Sequence, residues 1–218
     1  MKRLFVALSA LILGGTACQQ HTSAPEATEA TEANSANNPT IENIISRRSI
    51  RAYKEHAVPR ELLDKIIECG IWAPNGMNAQ QWEVRVVDNK EWLDNITAAY
   101  KESVKGTPAE KMVEQPSFKN MFRNAPAVIF VAHKPGICTQ VDCGLMAGNM
   151  MLVAKSLGLG SICMMGPIMF FHNEAAKPYL ESLQLSEGYE LLLCVGIGYA
   201  DEEPKPTPRN MDVARYVE

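Results

Sequence analysis

Between residues 61 and 72 the apolar positions Leu62, Leu63, Ile66, Ile67 and Cys69 recur at the spacing of one helical face, with Pro59 near the first turn and Glu61 early. That pattern predicts an amphipathic helix over Glu61–Trp72, closed by Ala73-Pro74. Val84 and Val86 alternate within Glu83–Asp88, the mark of a short strand, and a polar helical stretch follows from Lys90 to Val104. Ala127–His133 and Tyr189–Ile197 are instead continuous apolar runs, as in strands covered on both faces. Val141–Leu157 is helical and apolar nearly all round, in Leu145, Met146, Met150, Met151, Leu152 and Val153, so it needs cover on every side. Gly144, Ala147, Gly148 and Ala154 within it permit close backbone approach, which favours a large subunit interface, and an obligate homodimer is expected. Few strands with helices between them imply an α+β or three-layer α/β/α domain around a small mixed sheet.

The ends of the chain narrow the picture. Residues 1–18 have the form of an export signal: Lys2 and Arg3, an apolar stretch from Leu4 to Leu13, then Gly14-Gly15-Thr16-Ala17-Cys18. The placement of Cys18 resembles a bacterial lipoprotein signal, which implies lipidation of Cys18 and a membrane-anchored or periplasmic location; Gly15 departs from the leucine usual there. Residues 19–40, rich in Ala, Thr, Glu, Asn and Ser, have no apolar periodicity and read as a flexible linker, leaving residues 41–218 as one folded domain. A net charge of −4 argues against a phosphate-tracking nucleic-acid surface. Cys138 and Cys143 are close enough in sequence for a disulfide in an oxidising compartment. With no Cys-x-x-Cys, and His56, His133 and His172 far apart, no metal site is expected.

Four segments carry candidate chemistry. In Arg47-Arg48-Ser49-Ile50-Arg51, residues Arg47, Ser49 and Arg51 would share one face of an extended chain and suit a phosphate monoester, although the pentapeptide alone is equally a solvated basic patch. Asn75-Gly76-Met77-Asn78-Ala79-Gln80 places three amides between the helix stop at Pro74 and the strand at Glu83; amides donate and accept, which suits the edge of a heterocycle, and they also form turns. Met165-Gly166-Pro167 closes a glycine-rich stretch, Gly158 to Pro167, where Gly166 brings backbone close to a flat ligand. Arg209 ends a stiff arm, Pro204-Lys205-Pro206-Thr207-Pro208.

Taken in order, RRSIR, APNGMNAQQW, GLGSICMMG and KPTPR make residues 41–218 resemble the nitroreductase family of FMN-dependent oxidoreductases. The resemblance implies a dimeric FMN-binding fold in which Arg47, Arg48, Ser49 and Arg51 hold the FMN phosphate and pyrimidine side, with Arg209 also on the phosphate. Pro74, Asn75, Gly76, Asn78 and Gln80 would approach that flavin from the partner subunit, and Met165 and Gly166 would border the ring. Asn75 stands in place of the family's serine, and Gln81 in place of proline. The implied activity is NAD(P)H-linked ping-pong reduction of small-molecule acceptors such as nitroaromatics and quinones, with no side-chain nucleophile. The polar-aromatic stretch Gln115–Arg123, including Phe118 and Phe122, reads either as a lid over the acceptor or as residues packing on a helix. Two alternatives remain: an anchored flavoprotein fed by a membrane or protein partner, and a flavin-free, anion-binding lipoprotein.

Overall fold

In the computed structural model, which describes residues 38–217, helices cover both faces of a four-stranded sheet. The elements are α1 (Pro39–Ser46), α2 (Arg60–Ile71), β1 (Trp82–Val87), α3 (Lys90–Ser103), α4 (Glu110–Val113), β2 (Ala127–His133), α5 (Thr139–Ser156), β3 (Gly160–Met164), α6 (Gly166–Phe170), α7 (Lys177–Ser182) and β4 (Glu190–Gly198). The export signal, Cys18 and all but the last three residues of the linker lie outside the described residues. The folded unit begins at Pro39, so α1 opens two residues ahead of the expected boundary at 41.

Strand order is β1-β2-β4-β3, and each pairing among these strands is antiparallel. The expected mixed character reduces to an isolated parallel bridge between Ser49 and Ser161. All seven residues of β2 are buried, as its unbroken apolar run requires. Alternation along the strands divides that run between two cores. Ala127, Ile129 and Val131, with Val195 and Ile197 of β4, meet Leu63 and Ile66 of α2 and Met146 and Met150 of α5. Val128 and Phe130, with Cys194, meet Leu93 and Ile96 of α3 and the aromatic residues around α6. Phe122 belongs to this second core, edge-on to Phe130 at 5.6 Å between ring centroids, so it is a packing residue rather than part of a lid.

The greasy helix α5 is two-sided. Met146, Ala147, Met150 and Ala154 are buried beneath the sheet, whereas Val141 is 65% exposed and Leu145 44%. Of the four small residues read as contact points for another subunit, Ala147 and Ala154 serve packing within the chain. Gly144 and Gly148 lie open, with nothing within 4 Å of where a Cβ would stand. Cys138 and Cys143 are both free thiols, Cys143 in the core and Cys138 exposed.

Candidate functional site

The arginine segment is fixed to β3 by a close approach. A Cβ on Gly160 would stand 2.8 Å from Ile50 Cγ1, so glycine is what allows Ile50 to insert and the chain to lie against the strand. Ile50 N donates to Ser161 O at 3.0 Å, and beyond it the chain pairs with the tail: Lys54 N donates to Tyr199 O and Asp201 N to Ala52 O, each at 2.9 Å. The Glu202 carboxylate accepts from the backbone N–H groups of Arg51 and Ala52 and ties the C-terminal arm to this ribbon. Tyr53 sits beneath it, its hydroxyl donating to Ile50 O at 2.8 Å. Burial, reinforced by Glu202, pushes the Tyr53 phenol well above its ordinary pKa and keeps it protonated.

The three arginines have different surroundings. Arg48 Nη1 donates to Ile45 O at 2.7 Å and to Arg47 O at 2.8 Å, satisfying carbonyls at the end of α1. Arg47 lines a cavity of about 400 Å³ shared with Arg48, Lys155, Ser161, Pro204 and Pro206. Two of its lining residues each carry a buried polar atom with no partner among the described residues, Arg47 Nη1 and Ser161 Oγ. Arg51 instead lines a second cavity, of about 530 Å³, with Gly166, Pro167, Tyr100 and Phe118, and its Nη1 donates to Ser49 O at 3.1 Å. The shared face expected of Arg47, Ser49 and Arg51 is therefore not formed: Ser49 is engaged in the bridge to Ser161, and the two arginines border different cavities.

Pro74, Asn75, Gly76, Asn78 and Gln80 form a tight loop around the 3-10 turn Gly76–Asn78. Met77, Asn78 and Gln80 have φ of 55°, 52° and 49°, left-handed values that cost roughly 1–2 kcal/mol each for residues with a side chain. The loop holds them with its own groups: Asn75 Oδ1 accepts from Gln80 N at 3.0 Å, and Gln80 Nε2 donates to Asn78 Oδ1 at 3.3 Å. Gly76 N donates to Asp142 Oδ1 at 3.1 Å, joining the loop to the start of α5. The loop borders neither cavity of its own chain, and Met77 at its tip is 99% exposed.

Gly166 begins α6, so its N–H has no intrahelical acceptor, and a Cβ there would meet nothing within 4 Å. Met165, one residue earlier, is exposed. Arg209 is exposed as well and borders neither cavity; the arm meets the Arg47 cavity through Pro204 and Pro206 instead. Two participants escaped the sequence reading. Ser161 looks like an ordinary strand residue until its orphaned hydroxyl is seen. Arg123, at the edge of the larger cavity, was read only as the end of a lid.

Comparisons with known proteins follow this geometry. The family model described as "Nitroreductase family" matches residues 44–199. NADPH-flavin oxidoreductase of Vibrio harveyi is 30% identical over 173 residues, 79% of this chain and 70% of that one. A Methanothermobacter thermautotrophicus protein, provisionally named NADH dehydrogenase/NAD(P)H nitroreductase, is 34% identical over 128 residues; the match spans 56% of this chain and 58% of that relative. Among solved structures, a Bacteroides fragilis nitroreductase with bound FMN superimposes with a TM-score of 0.73 at 27% identity, covering 83% of this chain and 100% of its own.

Proposed function

The chain belongs to the nitroreductase family, and on that premise we propose that it binds FMN and carries reducing equivalents from NAD(P)H to small electron-poor acceptors such as nitroaromatics and quinones. The observation that carries this reading is the pair of orphaned buried atoms, Arg47 Nη1 and Ser161 Oγ, on residues that line one cavity. A phosphate monoester offers acceptor oxygens to both and a charge-assisted bond to the guanidinium. The open space beside Gly166 in the neighbouring cavity suits a flat ring. FMN therefore fits the residues present.

FMN, when bound, supplies reversible two-electron transfer. The chain's own residues do the holding. Arg47 and Ser161 would hold the phosphate end, Arg51 would supply positive charge to the reduced ring, and Gly166 leaves room while presenting its N–H. No side-chain nucleophile is needed, so donor and acceptor alternate at one exposed face and turnover is ping-pong. A second copy of the chain completes the site: loop 74–80, preformed and exposed, reaches across to the partner's ring, and the open face of α5 with Gly144 and Gly148 forms the seam. Export behind residues 1–18, with Cys18 lipidated, belongs to the same proposal.

The test is the spectrum of protein purified by its own export route, with mass spectrometry of the released cofactor and of the amino terminus, followed by anaerobic titration with NADH and NADPH. A flavin band bleached by either nucleotide and restored by a nitroaromatic is the expected result. A protein that stays colourless after refolding with FMN overturns the reading, and a flavin bleached by neither nucleotide assigns the donor to a membrane or protein partner.

A further inference from the structure

We propose that Arg123 makes the enzyme selective for anionic acceptors, electron-poor aromatics bearing a carboxylate or a similar negative group. The inference rests on the oxidoreductase reading above and adds the charge of the substrate. Arg123 lines the larger cavity together with Tyr100, Met112 and Phe118, apolar or aromatic walls suited to a ring, and with Arg51 and Gly166 at the end assigned to the flavin.

The backbone that presents Arg123 is unusual. Arg123 and Asn124 are consecutive left-handed residues, with φ of 56° and 66°, and neither is a glycine. Strain of that kind persists only where the surroundings over-determine it. Two asparagine side chains do so. Asn120 Oδ1 accepts from Phe122 N and Asn124 N, each at 2.9 Å, and Asn120 Nδ2 donates to Ala125 O at 3.1 Å. Asn124 Oδ1 accepts from Lys119 N at 2.8 Å and Asn120 N at 3.1 Å, while Asn124 Nδ2 donates to Ser117 O at 3.0 Å. Each amide holds the turn through its oxygen and one N–H, and Arg123 is the side chain the turn delivers to the cavity edge.

Charge around the cavity leaves that guanidinium available. Lys119 is paired with Glu55 at 2.9 Å. Asp201, the carboxylate on this wall, lies just past β4 beside Ala52, the neighbour of Arg51, since its N–H donates to Ala52 O. The Arg123 guanidinium makes neither an ion pair nor a hydrogen bond among the described residues. A planar guanidinium with two free N–H edges beside aromatic walls matches a carboxylate carried on a stacked ring, which it binds bidentately.

The experiment compares 4-nitrobenzoate with 4-nitrobenzamide, two acceptors of nearly equal shape, using the flavin-loaded full chain. In Arg123→Gln the ratio of kcat/KM for benzoate over benzamide is expected to fall about tenfold, with Arg123→Lys recovering most of it and flavin content matching the wild type. An equal fall on both acceptors makes Arg123 structural and overturns the proposal, as does an unchanged ratio. If the wild type, its flavin first reduced with dithionite, reduces neither compound, the nitroaromatic part of the reading above fails on its own. Selectivity is then read from benzoate and benzamide titrated against the flavin absorbance: a preference for benzoate that disappears in Arg123→Gln upholds the inference, and equal affinities sink it.

Discussion

Arg47 and Ser161 leave a buried nitrogen and a buried hydroxyl without partners, a condition that costs about 1–3 kcal/mol for each group unless something else satisfies it. A bound phosphate removes that penalty, so both residues should matter more to the holoprotein than to the apoprotein. Arg47→Ala is expected to weaken FMN binding by about 10- to 100-fold, the equivalent of a charge-assisted bond, and Ser161→Ala by a smaller factor, both read by quenching of flavin fluorescence. The sequence singled out the arginine cluster but could not rank three identical side chains. Their roles depend on where α1 ends and on Ile50 inserting against Gly160, which throws Arg47 and Arg51 to different cavities. Buried thiols set a separate limit on stability. Burial, with Asp142 adding to it, pushes Cys143 up to about 11, and burial drives Cys194 higher still. Both pKa values are raised on folding, so their contribution is intact below the ordinary thiol value, 9.0, and is lost as pH climbs through the folded values. Urea midpoints are expected to drop between neutrality and pH of about 10, and to drop less in Cys194→Ala measured against its own neutral value.

Gly160 decides how β3 receives the arginine segment. In Gly160→Ala the new methyl would press on the buried Ile50 side chain, which has backbone behind it, so the segment must shift. The expected outcome is a loss of FMN affinity larger than the fall in thermal midpoint, checked by titration and calorimetry on the same preparation. Strands β2 and β4 were legible because a run of consecutive apolar residues has few other homes, and α2, α3 and α5 because their spacing or length is unambiguous. β3 was not: five residues that begin with glycine and include serine show neither alternation nor an unbroken apolar run, and tertiary pairing with β4 is what makes them a strand. α1 was hidden by its position, with Pro39 following a low-complexity tract and only eight residues to display a period. Of the two aromatics read as a lid, Phe118 lines the larger cavity and Phe122 packs in the core, a division that composition alone does not reveal.

At the scale of the whole molecule, three helices carry several of the apolar residues left in the open: Ile41, Ile44 and Ile45 of α1, Ile71 and Trp72 at the end of α2, and Val141 and Leu145 of α5. Surfaces of this kind on a chain with full cores of its own mark an association site. On the proposed dimer, Leu145→Glu is expected to convert a particle of twice the chain mass into one of single mass, by light scattering, and to lose FMN in the same step because loop 74–80 would no longer reach a partner; a monomeric variant that keeps its flavin would separate the two events, and a wild type of single mass would overturn the dimer. One further consequence follows from the ribbon that joins residues 50–54 to 199–202. Two segments about 150 residues apart in the chain close on each other there, so a polypeptide cut before residue 199 lacks one side of the cradle. On the proposed function, such a truncated product is expected to emerge colourless however much FMN surrounds it.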